Sequence, residues 1–166
     1  MSETNLILPA SVITKADLTR LLREIEQLES DLTTASVQQK LGRSPAAAPE
    51  LSPQAADFLA TRDDVFEQPQ ARAECIKQLR TLKDSAPMIH MTFASSPDRD
   101  SLQRLVDWLR EKVHPQALIA VGLQPELIGG VHVRTTNHMH DMSLRAQLAG
   151  HRDVITQELE AIRAGR

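Results

Sequence analysis

The segment Leu123–Arg134 constrains the fold most, because twelve residues hold a turn, a pair of glycines and a strand. Pro125 fixes its own φ and pushes the residue before it toward extended geometry, so a turn begins there. Gly129-Gly130 permits backbone angles or close approaches that a side chain would block. Residues 131–134 then alternate apolar and polar side chains, which predicts a half-buried strand.

The elements around this segment predict an α+β unit. Residues 88–93 have the pattern of a short strand, residues 98–113 carry apolar positions at helical spacing, and residues 117–123 are an apolar run of strand length. After the strand at 131–134, we expect Asp141 to cap one closing helix over about residues 142–164. This strand–helix–strand–strand–helix order predicts the α+β fold class, with helices on one face of a sheet.

A long helix is predicted to begin at Thr14, where Thr14 and Asp17 have the spacing of a capping box. Its apolar residues recur at alternating steps of three and four, as in the heptad seam of a coiled coil. The predicted seam consists of Leu18, Leu21, Ile25, Leu28 and Leu32. Since a helix with so short an apolar seam is marginal alone in water, it packs either on its own domain or on a partner helix, including a second copy. The sequence leaves both interpretations open.

Prolines and composition divide the chain into three predicted segments. Residues 1–50 form an N-terminal helical arm that ends in a Pro/Ala-rich linker at 43–53, and residues 1–12 are expected to be a loose or docking arm. Residues 51–86 form a helical segment of short helices, the first with Pro53 at its first position. Residues 87–166 form the α+β domain.

Composition excludes several classes of function. Aromatic residues are 2% of the chain and its net charge is −3, so neither base stacking nor binding to a phosphate backbone is expected. The single cysteine, Cys75, cannot form an internal disulfide, which fits a reducing compartment. The N-terminus lacks the pattern of a signal peptide, and we expect no membrane-spanning segment.

Three histidines and a carboxylate near the C-terminus suggest a metal site: His132, His138, His140 and Asp141. His138 and His140 would lie on the same side of a strand, and Asp141 could add an oxygen ligand. The alternative is an ordinary strand pair with polar outward positions. Because the spacing lacks the full ligand set that zinc requires, we expect no metal, no cofactor and no catalytic residue.

The segment that follows Leu123 resembles the signature of the δ subunit of F-type ATP synthases, called the oligomycin-sensitivity-conferring protein in mitochondria. That signature has Asp-Pro before Leu-Ile-Gly-Gly, an alternating strand that ends in a basic residue, and Asp-Gly-Ser before a closing helix. Gln124 stands where the family usually has Asp, and Met142 where it usually has Gly. The matching positions, which we take as signature and partner-binding residues, are Pro125, Leu127, Ile128, Gly129, Gly130, Arg134, Asp141, Ser143 and Arg145.

The resemblance extends from about Met88 to Glu158 and is expected to fail upstream of residue 85. The family normally has a six-helix N-terminal domain there, which grips the catalytic α subunits, whereas this chain has a heptad helix and a proline-rich linker. Contact with the α subunit therefore cannot simply be carried over.

The resemblance implies a non-catalytic stator subunit of the peripheral stalk in a rotary F-type ATP synthase. Such a subunit links the catalytic head to the stalk's b helices, through the uncovered face of its sheet or a groove beside helix 142–164. It would be cytoplasmic, at the inner face of the cell membrane, and membrane-associated only through the complex. Arg134 and Arg145 would be solvated, or would pair with Asp141 or with carboxylates of a partner.

Two other functions remain open from the sequence. A homodimeric adaptor would associate through the seam of the N-terminal helix. A small metal-dependent or acid–base enzyme would use the cluster of His132, His138, His140 and Asp141 in a concave site.

Overall fold

The computed structural model of the protein describes residues 6–42, 50–60, 62, 65, 68–135 and 137–164, with only the backbone at residue 153. The class is α+β, as predicted. None of the helices in these ranges is both long and apolar enough to cross a bilayer. The helices are α1 (Lys15–Lys40), α2 (Pro53–Ala60), α3 (Pro69–Ser85), α4 (Arg99–Lys112), α5 (Leu144–Gly150) and α6 (Arg152–Arg163). The strands are β1 (Met88–Phe93), β2 (Leu118–Leu123), β3 (Gly130–Arg134) and β4 (Met139–Ser143).

The chain divides into two compact units, and the division passes through α4 and β2. Unit 1 comprises Met1–Pro87 and Leu102–Leu118, and unit 2 comprises Met88–Ser101 and Ile119–Arg166. The predicted segments 1–50 and 51–86 thus fall together in unit 1. Most of the predicted linker, residues 43–49, lies outside the described residues.

Helix α1 begins at the predicted capping box. The Thr14 hydroxyl accepts a hydrogen bond from the N–H of Asp17 at 3.2 Å, and the Asp17 carboxylate accepts one from the N–H of Thr14 at 3.0 Å. Two N–H groups that would lack helical partners are thereby satisfied. At the other end, Gly42 has a φ of +71°, a left-handed conformation that glycine adopts readily after a helix.

The apolar seam of α1 lies inside the core of unit 1. Leu18, Leu21, Ile25 and Leu28 are fully buried and Leu32 is partly buried, in one cluster with residues of α2 and α3. Burying each such side chain contributes about 1.5–3 kcal/mol, so this packing is sufficient reason for a long helix here. The helix therefore packs on its own domain, and its seam is occupied rather than available to a coiled-coil partner.

Ion pairs tie α1 to α3 along the margin of that core. Arg80 meets Glu26 at 2.6 Å, and Arg72 meets Glu29, so the two helices run in opposite directions. The Arg72 side chain is almost fully buried, and it also donates to the carbonyl of Val65 at 3.3 Å. A buried guanidinium needs such partners, because leaving it unpaired would cost several kcal/mol.

Residues 6–12 pack against unit 1 through three side chains of its core, which corrects the prediction of a loose arm for this stretch. Leu6, Leu8 and Val12 are buried. Arg110 of α4 donates to the carbonyl oxygens of Pro9 at 2.9 Å and Val12 at 2.5 Å. Desolvation by burial lowers the pKa of Arg110 from its usual value. The apolar side chains and this guanidinium together fix the segment, while residues 1–5 lie outside the described residues.

Arg110→Ala should loosen residues 6–12. Because the substitution removes the charge-assisted hydrogen bonds to the carbonyl oxygens of Pro9, Val12 and Ala117, we expect a loss of about 2–4 kcal/mol in the free energy of unfolding. Urea unfolding measures this loss, and amide hydrogen exchange should quicken at residues 6–12. Arg104→Ala, an exposed position on the same helix, is the control and should change neither. Unchanged exchange in the Arg110 variant would contradict the assignment.

The four strands form one sheet in the order β2-β1-β3-β4. Strand β3 is antiparallel to both neighbours. Its residue His132 lies opposite Thr92 of β1 on one side and opposite Asp141 of β4 on the other. The N–H of Gln124 donates to Phe93 at 2.8 Å, and that of Leu118 to Pro87 at 3.0 Å. Since both bonds have the same offset in sequence, β2 runs parallel to β1, as a strand–helix–strand connection requires.

Gly130 permits the start of β3 to approach the end of β4 closely. Its φ is +88°, and a Cβ there would lie 2.3 Å from the carbonyl oxygen of Met142 and 2.8 Å from the Cα of Ser143. Backbone atoms cannot move aside as a flexible side chain would. Glycine is therefore required both for the backbone angle and for the space.

Gly130→Ala should destabilise the chain by about 2–4 kcal/mol in the free energy of unfolding, because it adds backbone strain to a steric clash. Gly150→Ala is the matched control, since nothing lies within 4 Å of its added Cβ. Because alanine is the better helix former, the control should be neutral or stabilising by up to about 1 kcal/mol. Urea unfolding of both variants checks the pair, and equal effects would contradict this account of Gly130.

Candidate partner-binding surface

The residues that follow β2 form a tight turn around one buried side chain. Residues Pro125–Leu127 make a single 3-10 turn, in which the N–H of Leu127 donates to the carbonyl of Gln124 at 3.1 Å. Leu127 is buried, and it anchors the turn to unit 2. We call residues 125–130 the signature turn.

Ile128, at the tip of the signature turn, has an unusual conformation. Its φ is +65° and its ψ is −40°, and the N–H of Gly129 donates across it to the carbonyl of Leu127 at 2.7 Å. This is a classic γ-turn, which is rare and strained. The Ile128 side chain nevertheless remains 74% exposed. The chain thus carries strain at a residue that it does not bury.

Ser143, rather than Asp141, caps the helix that follows β4. The Ser143 hydroxyl accepts from the N–H of Ala146 at 3.2 Å, while the Asp141 carboxylate accepts from the N–H of Ser143 at 2.9 Å. The prediction for Asp141 is wrong because strand pairing continues through Ser143, which lies opposite Gly130. The carboxylate instead holds the capping serine in place.

The closing region consists of two helices, which corrects the prediction of a single helix over 142–164. The break falls at His151, whose φ of −109° and ψ of 13° are not helical. Gly150 immediately precedes the break, and glycine lowers helix stability by about 1 kcal/mol relative to alanine. Among the described side chains, those of α5 and α6 are largely exposed, so little burial offsets that cost.

Helix α6 is amphipathic, yet every side chain described in it is exposed. Ile155, Leu159 and Ile162 recur at steps of four and three, which places them on one face. Leu159 is 61% exposed and Ile162 is 71% exposed. We call these three residues the apolar stripe. A helix of this length is marginal in water without packing, so the stripe is typical of a surface that a partner covers.

Exposed apolar side chains continue from α5 to the signature turn. Leu144 and Leu148 are one helical turn apart on α5, and both are exposed. The N–H of Leu144 donates to the carbonyl of Gly129 at 2.9 Å, and a Cβ on Gly129 would lie 3.6 Å from the Leu144 side chain. Ile128 and the start of α5 therefore belong to one continuous surface.

The sheet divides the histidines of the predicted metal cluster between its faces. Nε2 of His132 lies 2.8 Å from Oδ1 of Asp141, directly opposite on β4. His140 lies opposite Val133 and points to the other face, where its ring is 6.2 Å from that of His138. Among the described residues, no group of three or more His, Cys, Asp or Glu side chains could hold a metal ion.

The Asp141 carboxylate is stabilised in its charged form. Hydrogen bonds from the side chain and then the N–H of Ser143 lower its pKa, and His132 adds a smaller effect. In the part of the chain that the structure describes, neither Arg134 nor Arg145 forms an ion pair with Asp141. Both arginines are exposed, which leaves them available to solvent or to a partner.

Asp141→Asn should remove an acid-sensitive contribution to stability. Because the folded-state pKa is below the unfolded value of about 3.9, the stabilisation is present at neutral pH and is lost as pH falls through the folded pKa. The Tm difference between the wild type and the variant should therefore narrow between pH 6 and pH 3. Gln157→Asn, an exposed substitution that changes no ionisable group, is the control, and its Tm difference should stay constant. A difference that widens on acidification would contradict this prediction.

Unit 1 carries a second feature, an open cationic depression of about 490 Å³ along the first turns of α1. It is lined by Lys15, Ala16, Thr19, Arg20 and Arg23. Within the described residues, its three cations have no carboxylate partner, whereas Glu24, Glu26 and Glu29 bond to Ser52 and to arginines of α3. Positive charge therefore remains on this face of the helix.

The sequence indicated some of this surface and missed the rest. Their spacing indicates the apolar positions of the closing helix, but it does not show that these side chains face solvent. Of the predicted signature residues, the structure places Pro125, Leu127, Ile128, Gly129 and Gly130 in one turn. It buries Ser143 and leaves Arg134 and Arg145 exposed. Whether these residues bind a partner stays a prediction.

Comparison with known proteins identifies one family. The family model described as ATP synthase delta (OSCP) subunit matches residues 66–155, which is just over half of the chain. The match begins about 20 residues before Met88 and includes α3, so the expectation that the resemblance fails upstream of residue 85 is wrong for this stretch. No curated protein matches the chain.

Proposed function

The chain belongs to the ATP synthase delta (OSCP) subunit family, and we propose that it links the catalytic head to the b helices of the peripheral stalk. Members of this family are structural subunits of the ATP synthase stalk rather than enzymes. In the proposed role, the chain helps to prevent the head from turning with the rotor, so that torque drives ATP synthesis coupled to proton transport. This role requires strong contacts and no chemical step.

The exposed apolar stripe of α6 is the observation that carries this proposal. Ile155, Leu159 and Ile162 form one face of a helix in which no described side chain is buried. An amphipathic helix from a partner would cover that face by packing ridges into grooves, as helices do in water-soluble proteins. The b-type stalk subunit is the family partner whose helices fit this surface. Binding would also stabilise α6, which is marginal alone.

Unit 1 offers a different kind of surface for the catalytic head. The apolar seam of α1 is buried in the core of unit 1, so it offers the head no exposed apolar face like the stripe of α6. The cationic depression around Lys15, Arg20 and Arg23 remains, and it would attract an acidic segment of the head's α subunit. Two contacts with different partners raise the overall strength of attachment well above that of either contact alone.

We propose a cytoplasmic position at the inner face of the cell membrane, reached only through the partners. In the alternative of a homodimeric adaptor, the seam Leu18, Leu21, Ile25 and Leu28 would have to leave the core of unit 1. The alternative of a metal-dependent enzyme is weakened because His132 and His140 lie on opposite faces of the sheet. The stator role fits the described surfaces better than either alternative.

Leu159→Asp should release the b-type stalk protein. A tagged chain isolated from native membranes in mild detergent should carry stalk and head proteins with ATPase activity. The amount of stalk protein that co-purifies with the variant should be lower by about tenfold or more, because an unpaired carboxylate would be buried in an apolar contact. Its Tm should equal that of the wild type, since Leu159 is exposed in the chain alone.

Gln157→Asp is the control, because it adds the same charge to α6 away from the stripe, and it should retain the stalk protein. Equal retention by both variants would assign the stalk contact to another surface. A wild-type chain that elutes without stalk and head proteins would overturn the proposed function.

A further inference from the structure

The conformation of Ile128 costs free energy that the burial of its own side chain does not offset. A β-branched residue with a φ of +65° is an outlier, because Cβ crowds the neighbouring backbone. Burial could offset such a cost, but the side chain is 74% exposed. Glycine, which would adopt this conformation without strain, occupies the next two positions instead.

The surrounding backbone holds Ile128 in this conformation from both sides. Its own N–H donates to the carbonyl of Pro125 at 3.1 Å, and Leu127 before it is buried. After it, the carbonyl of Gly129 accepts from the N–H of Leu144 at 2.9 Å, and only glycine fits at position 130, because β4 passes close by. Strain persists where neighbouring structure determines the backbone in this way, and such strain is concentrated at functional sites.

We propose that Ile128 is an anchor residue for a helix of the b-type stalk subunit. The proposal rests on the proposed function, and it adds a residue outside α6 and a reason for its strain. Beside Ile128, Leu144 and Leu148 lie one helical turn apart on α5 and form an exposed apolar row. An amphipathic helix can pack its ridge against such a row, so we name a helix of the stalk partner that the family match implies as the occupant.

The γ-turn gives Ile128 an advantage as an anchor. Its backbone is fixed before the partner binds, so association does not include the free-energy cost of ordering a flexible loop. The exposed apolar side chain loses its contact with water only in the complex, where its burial favours association. Strain in the free chain is thus exchanged for a preorganised contact.

Ile128→Gly removes both the backbone strain and the anchoring side chain. The two effects are measured separately, because relief of strain raises the Tm and loss of the side chain lowers the affinity for the partner. We expect the Tm of the full-length variant to equal or exceed that of the wild type, by up to about 8 °C. Its affinity for the soluble helical part of the b-type stalk subunit encoded by the same genome should fall about tenfold or more. Ile128→Met keeps an apolar side chain without β-branching, and it should retain affinity near that of the wild type.

Ile7→Ala is the control, since Ile7 is an isoleucine of unit 1 that is 81% exposed, and it should change neither quantity. Wild-type affinity in Ile128→Gly would overturn the role of Ile128 and leave the proposed function standing. A clearly lowered Tm in that variant would overturn the argument from strain. A wild-type chain that does not bind the stalk helix would overturn both proposals. A dimer of the chain alone that Ile128→Gly dissociates would assign the surface to a second copy and overturn the anchor.

Discussion

The close approach of Gly130 to the carbonyl of Met142 is the constraint on which the exposed surface of unit 2 depends. It brings the start of β3 against the end of β4, where a side chain would not fit. The same approach puts the carbonyl of Gly129 within hydrogen-bond distance of Leu144, at the start of α5. The turn before these glycines is thereby closed, and Ile128 is left at its tip. One backbone contact thus determines where the strand, the turn and the helix meet.

The two units use their apolar residues differently. Unit 1 buries the seam of α1 together with Leu6, Leu8 and Val12. Arginine–carboxylate pairs connect α1 to α3. Unit 2 leaves the apolar side chains of α5 and α6 exposed. A chain that only had to fold would gain stability by covering them, so their exposure is typical of a subunit completed by a partner. The cations of α1 provide a second surface of different chemistry.

The sequence predicted those elements whose signals are local. The capping box at Thr14 and the strand at 88–93 follow from residue types at fixed spacing, and the structure has both. Burial of residues 6–12 could not be predicted, because it depends on Arg110, about one hundred residues later in the chain. The capping residue of α5 could not be predicted, because Asp141 and Ser143 are both good capping residues and strand pairing decides between them.

The candidate surface was only partly predictable for similar reasons. Helical spacing revealed the apolar stripe, but burial is a property of the folded chain and not of the spacing. The positive φ of Ile128 has no local signal at all, since isoleucine is among the residues that least favour it. The surrounding hydrogen bonds impose that angle, and they form only when the turn, β4 and α5 come together.

Amide hydrogen exchange of residues 152–163 tests the central claim most directly. The measurement compares the chain alone with the chain in the assembly isolated from native membranes in mild detergent. We predict fast exchange in the free chain, where none of the side chains described in α6 is buried, and strong protection in an assembly that contains the b-type stalk protein. Exchange that is equally fast in both states, with the stalk protein present, would contradict the claim that this helix is the stalk-binding surface.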